Sequence, residues 1–406
     1  MAVFESDAEK LNKEEAEKTR ESRKAAKEAV HKRFRKEYYS DYGLIFMLIF
    51  VIAFGLVMLF STSSYQAALD FDGDTTYYLQ HQFWAALAGF AFMIGFSFVP
   101  YHWYQKLTVV AYVASGILIL VVLSPLGYSA NGATRWFRIF GVSVQPAEIA
   151  KLGMIIFLAG LTDRLGKLAA QTKFFIAILV TALPICGLVY FITDNLSSAI
   201  IIMGIALLML FIATPGYKRF VIIGAATAAI SALMVFIALQ TRDDPFNYRF
   251  RRIMIWLDPE AYASDYGFQT IQSLYAIGSG GIFGKGLGES MQKRFVPEAQ
   301  NDMIFSIICE ELGLFGAIAV ILLFVLIIWR LLIIANYAND RYGALLVVGV
   351  LGHLALQVIL NIAVVTNTIP NTGITLPFIS YGGSAVFFQL IEIGICLSVA
   401  RSIRVR

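Results

Sequence analysis

Apolar runs long enough to cross a bilayer recur ten times along this chain, more than the core of a water-soluble domain can absorb. They lie near residues 43–62, 83–99, 107–124, 146–162, 174–192, 196–213, 219–239, 303–329, 343–365 and 379–400. Charged residues make up 15% of the 406 positions, against about 25% in a soluble domain. A helix satisfies its own backbone polar groups in hydrocarbon. The expected fold class is therefore an all-α polytopic membrane protein of about ten transmembrane helices. No Walker A sequence is present, so nucleotide-driven work within the chain is not expected. The histidines His31, His81, His102 and His353 are scattered without zinc-site spacing. Cys186, Cys309 and Cys396 lie inside apolar runs and are expected to be buried small hydrophobes. No nucleic-acid partner is expected.

Charge orders the spans. The connections near 162–173, 217–219 and 329–341 carry Arg164, Lys167, Lys173, Lys218, Arg219, Arg330 and Arg341, and the C-terminus adds Arg401, Arg404 and Arg406. Basic residues favour the cytoplasmic side, which places these connections and both termini in the cytoplasm. The opposite loop, 61–80, holds Asp70, Asp72 and Asp74 and no Lys or Arg, in agreement. The expected division is a charged cytoplasmic tail over 1–42, a transmembrane domain over 43–400 and a short cytoplasmic tail over 401–406. Residues 5–37, rich in Lys, Glu and Ala, are expected to form a frayed helix or to be disordered. Their last part, the basic stretch 31–36, suits contact with anionic membrane lipid. About forty polar residues precede the first apolar run, which therefore reads as an uncleaved signal anchor.

A large extracytoplasmic loop, 240–302, separates the seventh and eighth spans. It carries Arg242, Arg249, Arg251, Arg252, Lys285, Lys293 and Arg294 beside Asp243, Asp244, Asp258, Glu260, Asp265 and Glu289. Either the charges balance in a solvated loop, or the basic groups form a docking surface for an anionic ligand. Phe250, Ile253, Met254, Trp256 and Leu257, then Ile271, Leu274, Tyr275 and Ile277, have the spacing of interfacial helices. Glycine-rich turns at 278–281 and 284–288 present backbone N–H groups of the kind that cradle phosphate. A connector of this length without a span of its own points to function.

Asp302 ends the polar string 297–302 just before an apolar segment, where a carboxylate is costly unless it meets water, a counter-ion or a substrate. Pro146 suits the first turn of the fourth span, and Glu148 and Lys151, three apart, share one helical face. That pair either fixes helix packing or lines a cavity opposite Asp302. Glu310 and Glu311 are expected within the eighth span, roughly 12 Å below Asp302, bonded inside the bundle or polarising a deeper channel. Pro and Gly crowd 370–384, implying irregular backbone that lines a cavity.

Several strings together resemble the SEDS (shape, elongation, division and sporulation) family of bacterial peptidoglycan glycosyltransferases. They are Asn131-Gly132-Ala133 with Arg135-Trp136, Gln145-Pro146-Ala147-Glu148 with Lys151, and Trp256-Leu257-Asp258-Pro259. Gln272-Ser273, 276–281, 284–288, Pro297-Glu298 with Asp302, Glu310-Glu311-Leu312-Gly313, and Leu376-Pro377 with 380–384 complete the set, in order along the chain. Two departures stand out. Asn195 occupies a position where the family often has Asp, and Ala147 replaces a frequent Ser. The string 298–302 is closer to the family's division polymerases than to its elongation polymerases.

The resemblance implies polymerisation of lipid II, a disaccharide-pentapeptide on a polyprenyl diphosphate, at the outer face of the bacterial cytoplasmic membrane. It makes Asp302 the general base and adds Lys151, which would hold Asp302 or touch a substrate oxygen. A direct Lys151–Asp302 pair would lower the carboxyl pKa, whereas burial would raise it towards neutrality. Arg135, Gln145, Glu148, Gln272, Ser273, Glu298, Ser380 and Gly382 are the implied substrate-binding positions. Arg249, Arg252, Lys285 and the glycine turns are the donors expected to meet the diphosphate. A divalent cation, Mg or Mn, could accompany that diphosphate, although no dedicated cage of ligands is apparent. A class B penicillin-binding protein and other division proteins are the implied partners. The competing readings are a flippase for the lipid precursor and a non-catalytic division scaffold.

Overall fold

The computed structural model describes residues 41–130, 133–139, 141–240, 248–263 and 267–403. The N-terminal tail, its basic stretch, Arg242, Arg404 and Arg406 lie outside the described residues. Thirteen helices are present among those described: α1 (Tyr42–Asp70), α2 (Tyr77–Phe98), α3 (His102–Lys106), α4 (Thr108–Val121), α5 (Pro146–Arg164), α6 (Thr172–Thr193), α7 (Leu196–Ala213), α8 (Lys218–Gln240), α9 (Tyr248–Leu257), α10 (Phe268–Ser279), α11 (Ile304–Tyr337), α12 (Arg341–Val365) and α13 (Gly383–Ser402). Eight of them (α1, α2, α6, α7, α8, α11, α12 and α13) are long and apolar enough to cross a membrane. The remaining two expected spans are α4, of 14 residues, and α5, whose 19 residues include Glu148, Lys151, Asp163 and Arg164. The chain is a multi-pass membrane protein.

Boundaries depart from expectation where polar residues continue a helix. α1 runs to Asp70, so the loop expected over 61–80 shrinks to the turn before Tyr77. The fold is nearly all-helical, as expected, with one small sheet added. Gly127–Ala130 (β1), Ala133–Ile139 (β2) and Val142–Val144 (β3) form an antiparallel sheet in the order β1-β2-β3, with Phe137 opposite Val144. The sheet joins α4 to α5 at the end of the bundle that also carries α9 and α10, here called the loop end. At the opposite, terminal end the Asp41 carboxylate accepts from the Leu44 N–H at 2.9 Å and from the Arg330 guanidinium at 2.6 Å. All three cysteines are free and buried, as expected.

The feature that shapes the loop end is a break in α11. Gly313 has φ +67° and ψ −165°, which ends one short helix and starts another. In an unbroken helix the N–H groups of Leu314 and Phe315 would bond the carbonyls of Glu310 and Glu311. Instead they donate to Gly281 O at 2.9 Å and Ile282 O at 3.1 Å. The two released carbonyls accept from Lys285 N at 2.9 Å and Gly286 N at 3.0 Å. The glycine-rich loop is thus inserted into the helix ladder, with every exchanged donor and acceptor satisfied.

Glu310 and Glu311, expected deep in a straight span, sit at this insertion instead. Glu310 is fully buried and accepts from Lys285 Nζ at 2.6 Å, from the N–H groups of Met291 and Gln292 at 3.2 Å each, and from Ser290 Oγ. Glu311 accepts from Ser61 Oγ at 2.6 Å. Ser61 stands about 28 Å along α1, and Asn361, which contacts Asp302, about 30 Å along α12, both from the terminal end. The segment 304–312 therefore runs across the loop end, and the glutamates are not deeper than Asp302.

A Cβ at position 313 would lie 2.4 Å from both Gly284 N and Ile282 O. The positive φ alone costs about 1–3 kcal/mol for a non-glycine residue. Gly313→Ala is therefore expected to lower the thermal unfolding midpoint in detergent by several degrees. Gly224→Ala, in α8 with nothing within 4 Å of the added carbon, is expected to leave it unchanged or raise it slightly.

Candidate active site

Asp302 ends the polar turn before α11 and is half-buried. Four pieces of chain converge on it: α9, α10, the turn 297–303 and the irregular segment 366–382. Reciprocal bonds tie α9 to that segment, Trp256 Nε1 to Asn367 O at 3.0 Å and Asn367 Nδ2 to Trp256 O at 3.2 Å. From there a chain of bonds leads to the carboxylate. Arg252 Nη1 donates to Asn371 O at 3.2 Å, and Asn371 Nδ2 donates to Gln269 Oε1 at 3.1 Å. Gln269 Nε2 then donates to Pro297 O at 3.1 Å and, at the long limit of 3.4 Å, to Asp302 Oδ1.

Gln269 also lines a cavity of about 90 Å³, together with Arg251, Arg252, Trp256, Thr270 and Asn371, among others. Two guanidiniums and several carboxamides in one small space suit an anionic, oxygen-rich group such as a phosphate. Burial dominates the electrostatics of Asp302 and pushes its carboxyl up to about 6. Its own backbone N–H opposes that shift, Glu298 adds to it, and Arg252 moderates it. Of the two alternatives left open by the sequence, burial prevails over a direct lysine pair.

Lys151 is bonded elsewhere. Its ammonium sits 2.8 Å from Glu148 Oε1, and both side chains are buried in the first turns of α5. No ion pair joins Lys151 to Asp302 among the described residues. Gln145 precedes α5 as its N-cap residue and is half-buried. Arg135, on β2, donates to the carbonyl of Asp194 at 2.9 Å. Asn195, the departure from the acidic pattern, caps α7 by accepting from Ser198 N at 3.0 Å. An asparagine oxygen performs that task as well as an aspartate.

The other expected contacts divide by their present bonding. Lys285 is engaged by Glu310 and Ser279, so its ammonium braces the inserted loop. Ser273 is buried and donates to Val365 O at 3.3 Å, anchoring α10 on α12. Ser380 Oγ accepts from Leu376 N at 2.8 Å, and Gly382 N donates to Gln82 Oε1 at 3.1 Å, which fixes the backbone before α13. Gln272 is half-buried on α10. Glu298, exposed and at φ +49°, accepts from Asn301 Nδ2. The Arg249 side chain lies outside the described residues.

Sequence reasoning missed Gln269, Asn361 and Asn371 as individual neighbours of Asp302. Asn361 had a readable signal: His353, Gln357 and Asn361 recur every fourth residue inside an apolar span, a polar stripe on one helical face. The first of these forms a second buried pair, His353 Nδ1 to Glu392 Oε2 at 2.8 Å, between α12 and α13. Gln269 carried no such signal, being one polar residue of a polar loop.

Asp302 also makes a stability prediction. The folded state holds this carboxyl near 6, against 3.8 for an unperturbed aspartate. Folded protein therefore binds the proton more tightly, and stability falls as pH rises through the window between those values. Asp302→Asn cannot ionise. It is expected to melt above wild type at pH 7.5 in detergent, with the gap closing as pH is lowered towards 4.

Comparison with known proteins places the chain in a family. The family model described as cell cycle protein, of the FtsW, RodA and SpoVE kind, matches residues 42–405. A probable peptidoglycan glycosyltransferase FtsW of Geobacter sp. (strain M18) is 37% identical over 355 residues, covering 86% of this chain and 94% of that protein. Stage V sporulation protein E of Bacillus subtilis (strain 168) is 37% identical over 353 residues, covering 86% and 93%. Among solved structures, a peptidoglycan synthase complex that coordinates polymerization and crosslinking superposes with TM-score 0.74 at 27% identity, over 89% of this chain and 98% of the other. The rod shape determining protein RodA of Thermus thermophilus superposes with TM-score 0.63 at 26% identity, over 90% and 98%. Matched along nearly the whole transmembrane bundle, the chain belongs to the FtsW, RodA and SpoVE family of cell cycle proteins.

Proposed function

We propose that this chain is a peptidoglycan glycosyltransferase that polymerises lipid II, with Asp302 as general base. One observation carries the reading: a half-buried carboxylate raised to about 6 is linked through Gln269 to a cavity walled by Arg251 and Arg252. In the reaction the acceptor sugar hydroxyl attacks the anomeric carbon of a second lipid-linked disaccharide. The new C–O bond forms as the bond to the polyprenyl diphosphate breaks. The hydroxyl proton passes to the Asp302 carboxylate, and the electron pair leaves with the diphosphate. Negative charge then grows on phosphate oxygens, where guanidinium donors stabilise it. Arg252 is placed for this task, and its bond to Asn371 O links it to the chain that orients Gln269 and Asp302. A base with a pKa near 6 is ionised at neutral pH yet keeps driving force for proton transfer.

Glu148 and Lys151 form a buried, mutually neutralising pair, which favours a supporting role in the bundle over direct proton transfer. Lys285 acts through the inserted loop. Among the described residues no three His, Cys, Asp or Glu side chains group as a metal cage. A Mg or Mn ion arriving with the substrate would be held chiefly by phosphate oxygens.

Lys173, Lys218, Arg219, Arg330, Arg341 and Arg401 lie at the terminal end of the bundle, and Asp70, Asp72 and Asp74 at the loop end. This distribution supports cytoplasmic termini and a loop end that opens at the outer face of the cytoplasmic membrane. The FtsW relatives support a role in division. The likeness to a synthase complex supports a crosslinking partner of the class B penicillin-binding protein type; other division proteins are proposed as partners only from the role in division.

Purified protein reconstituted in liposomes is expected to convert lipid II to glycan strands, with and without the cognate transpeptidase compared side by side. A general base contributes about 10²–10⁴-fold to rate, so Asp302→Ala and Asp302→Asn are expected to lose at least about 100-fold in kcat while remaining folded. For wild type, kcat/KM is expected to fall tenfold per pH unit below about 6 and to be flat above it. Full activity in folded Asp302→Ala, or scrambling of labelled lipid without glycan, would overturn the reading.

A further inference from the structure

Asn361 is wholly buried on α12, about 6 Å along the helix from its loop end. Its one amide nitrogen donates to two carbonyls from separate segments, Asp302 O at 2.8 Å and Ile374 O at 2.7 Å. Neither carbonyl belongs to a helix. Asp302 precedes α11, and Ile374 follows Gly373, whose φ is +71°. Backbone of this kind has no ladder partner, and a primary carboxamide, with two N–H groups, can satisfy both acceptors at once. The two segments also meet at the carboxylate itself, since a Cβ on Gly373 would stand 3.9 Å from Asp302 Oδ2. We propose that Asn361 is a positioning residue for Asp302, clamping the base's backbone to the 370–376 segment and fixing where its carboxylate stands.

A neighbouring carboxamide provides an internal contrast. Gln357, one turn away on α12, donates to Thr375 O at 3.0 Å and Thr375 Oγ1 at 3.2 Å. Gln389 of α13 completes that layer, donating to Gln357 Oε1 at 3.2 Å and accepting from Phe378 N at 3.3 Å. This layer supports the same irregular segment yet makes no bond to Asp302. Asn361 alone reaches across to the base. Loop support and base positioning are therefore carried by two residues four positions apart. The other polar bonds of Asp302 come from Gln269 on a surface helix, so the clamp is its fixed point on the transmembrane bundle.

The proposal rests on the glycosyltransferase reading for its kinetic test and has a second readout that does not. Asn361→Leu and Gln357→Leu are compared in the full chain, assayed on lipid II. A misplacement of about 1 Å at a reacting group costs on the order of 100-fold, so Asn361→Leu is expected to lower kcat about 10- to 100-fold with KM within about threefold. Its acid limb should move below about 6 as water gains access to the carboxylate. Gln357→Leu is expected to keep kcat and the limb close to wild type. In parallel, the thiol introduced by Asp302→Cys is titrated with a membrane-impermeant maleimide. Asn361→Leu should speed that labelling about fivefold or more, and Gln357→Leu should not, in keeping with a local opening.

Unchanged labelling together with kcat within about threefold of wild type in Asn361→Leu would overturn the proposal, as would equal effects from the two variants. Should wild type fail to polymerise lipid II, the functional reading falls and the labelling rates alone decide the clamp. Should Asn361→Leu fail to fold, Asn361→Ser, which is too short to reach both carbonyls, takes its place. Wild-type kinetics and labelling in that variant would overturn the clamp.

Discussion

The loop end of this protein depends on an exchange of hydrogen bonds at Gly313. A continuous α11 would carry Asp302 away along the axis of the span and leave the glycine-rich loop without partners. Breaking the helix frees two carbonyls and two N–H groups in a setting where unpaired backbone polar groups are costly. The loop 281–286 supplies matching groups in the matching order, so the break is satisfied and the loop is ordered by the same bonds. The short segment 304–312 then lies across the bundle, with Asp302 at one end and the Glu310 network at the other.

Charge is handled differently at the two ends of that segment. Glu310 meets lysine, serine and two backbone N–H donors, enough to offset the loss of water around a carboxylate. Among the described residues the Asp302 carboxylate accepts one long side-chain bond, from the neutral amide of Gln269, with the Arg252 guanidinium acting at a distance. The first carboxylate is fully committed to structure. Burial raises the affinity of the second for a proton. Perturbed carboxylates of this kind cluster at functional sites.

Deeper in the bundle the polar residues are paired with one another. Glu148 with Lys151 and His353 with Glu392 are each enclosed within the helical bundle. The Glu148–Lys151 pair lies within α5 and contributes little net stability, because desolvation offsets its attraction, yet losing one partner leaves an uncompensated charge. The His353–Glu392 contact joins α12 to α13 and acts as a register mark between helices whose contact surfaces are otherwise apolar and permissive.

The sequence alone determined the order of the long apolar helices, eight of which are long enough to span a bilayer, because apolar length against bilayer thickness is a local property of the chain. It also located the carboxylate at 302, the helical faces of the large loop and the family. It did not foresee the sheet at 127–144, whose short strands depend on pairing across the turns. It placed Glu310 and Glu311 in a straight span, since nothing local says that Gly313 will break the helix and that a loop thirty residues earlier will fill the break. The partners of Asp302 were beyond it for the same reason. Arg252 and Asn371 are 119 residues apart, Gln269 and Asn371 102, and Asn361 and Asp302 59. Hydrogen bonds between such positions exist only once the helices have packed, so the tertiary structure alone decided which polar groups surround Asp302.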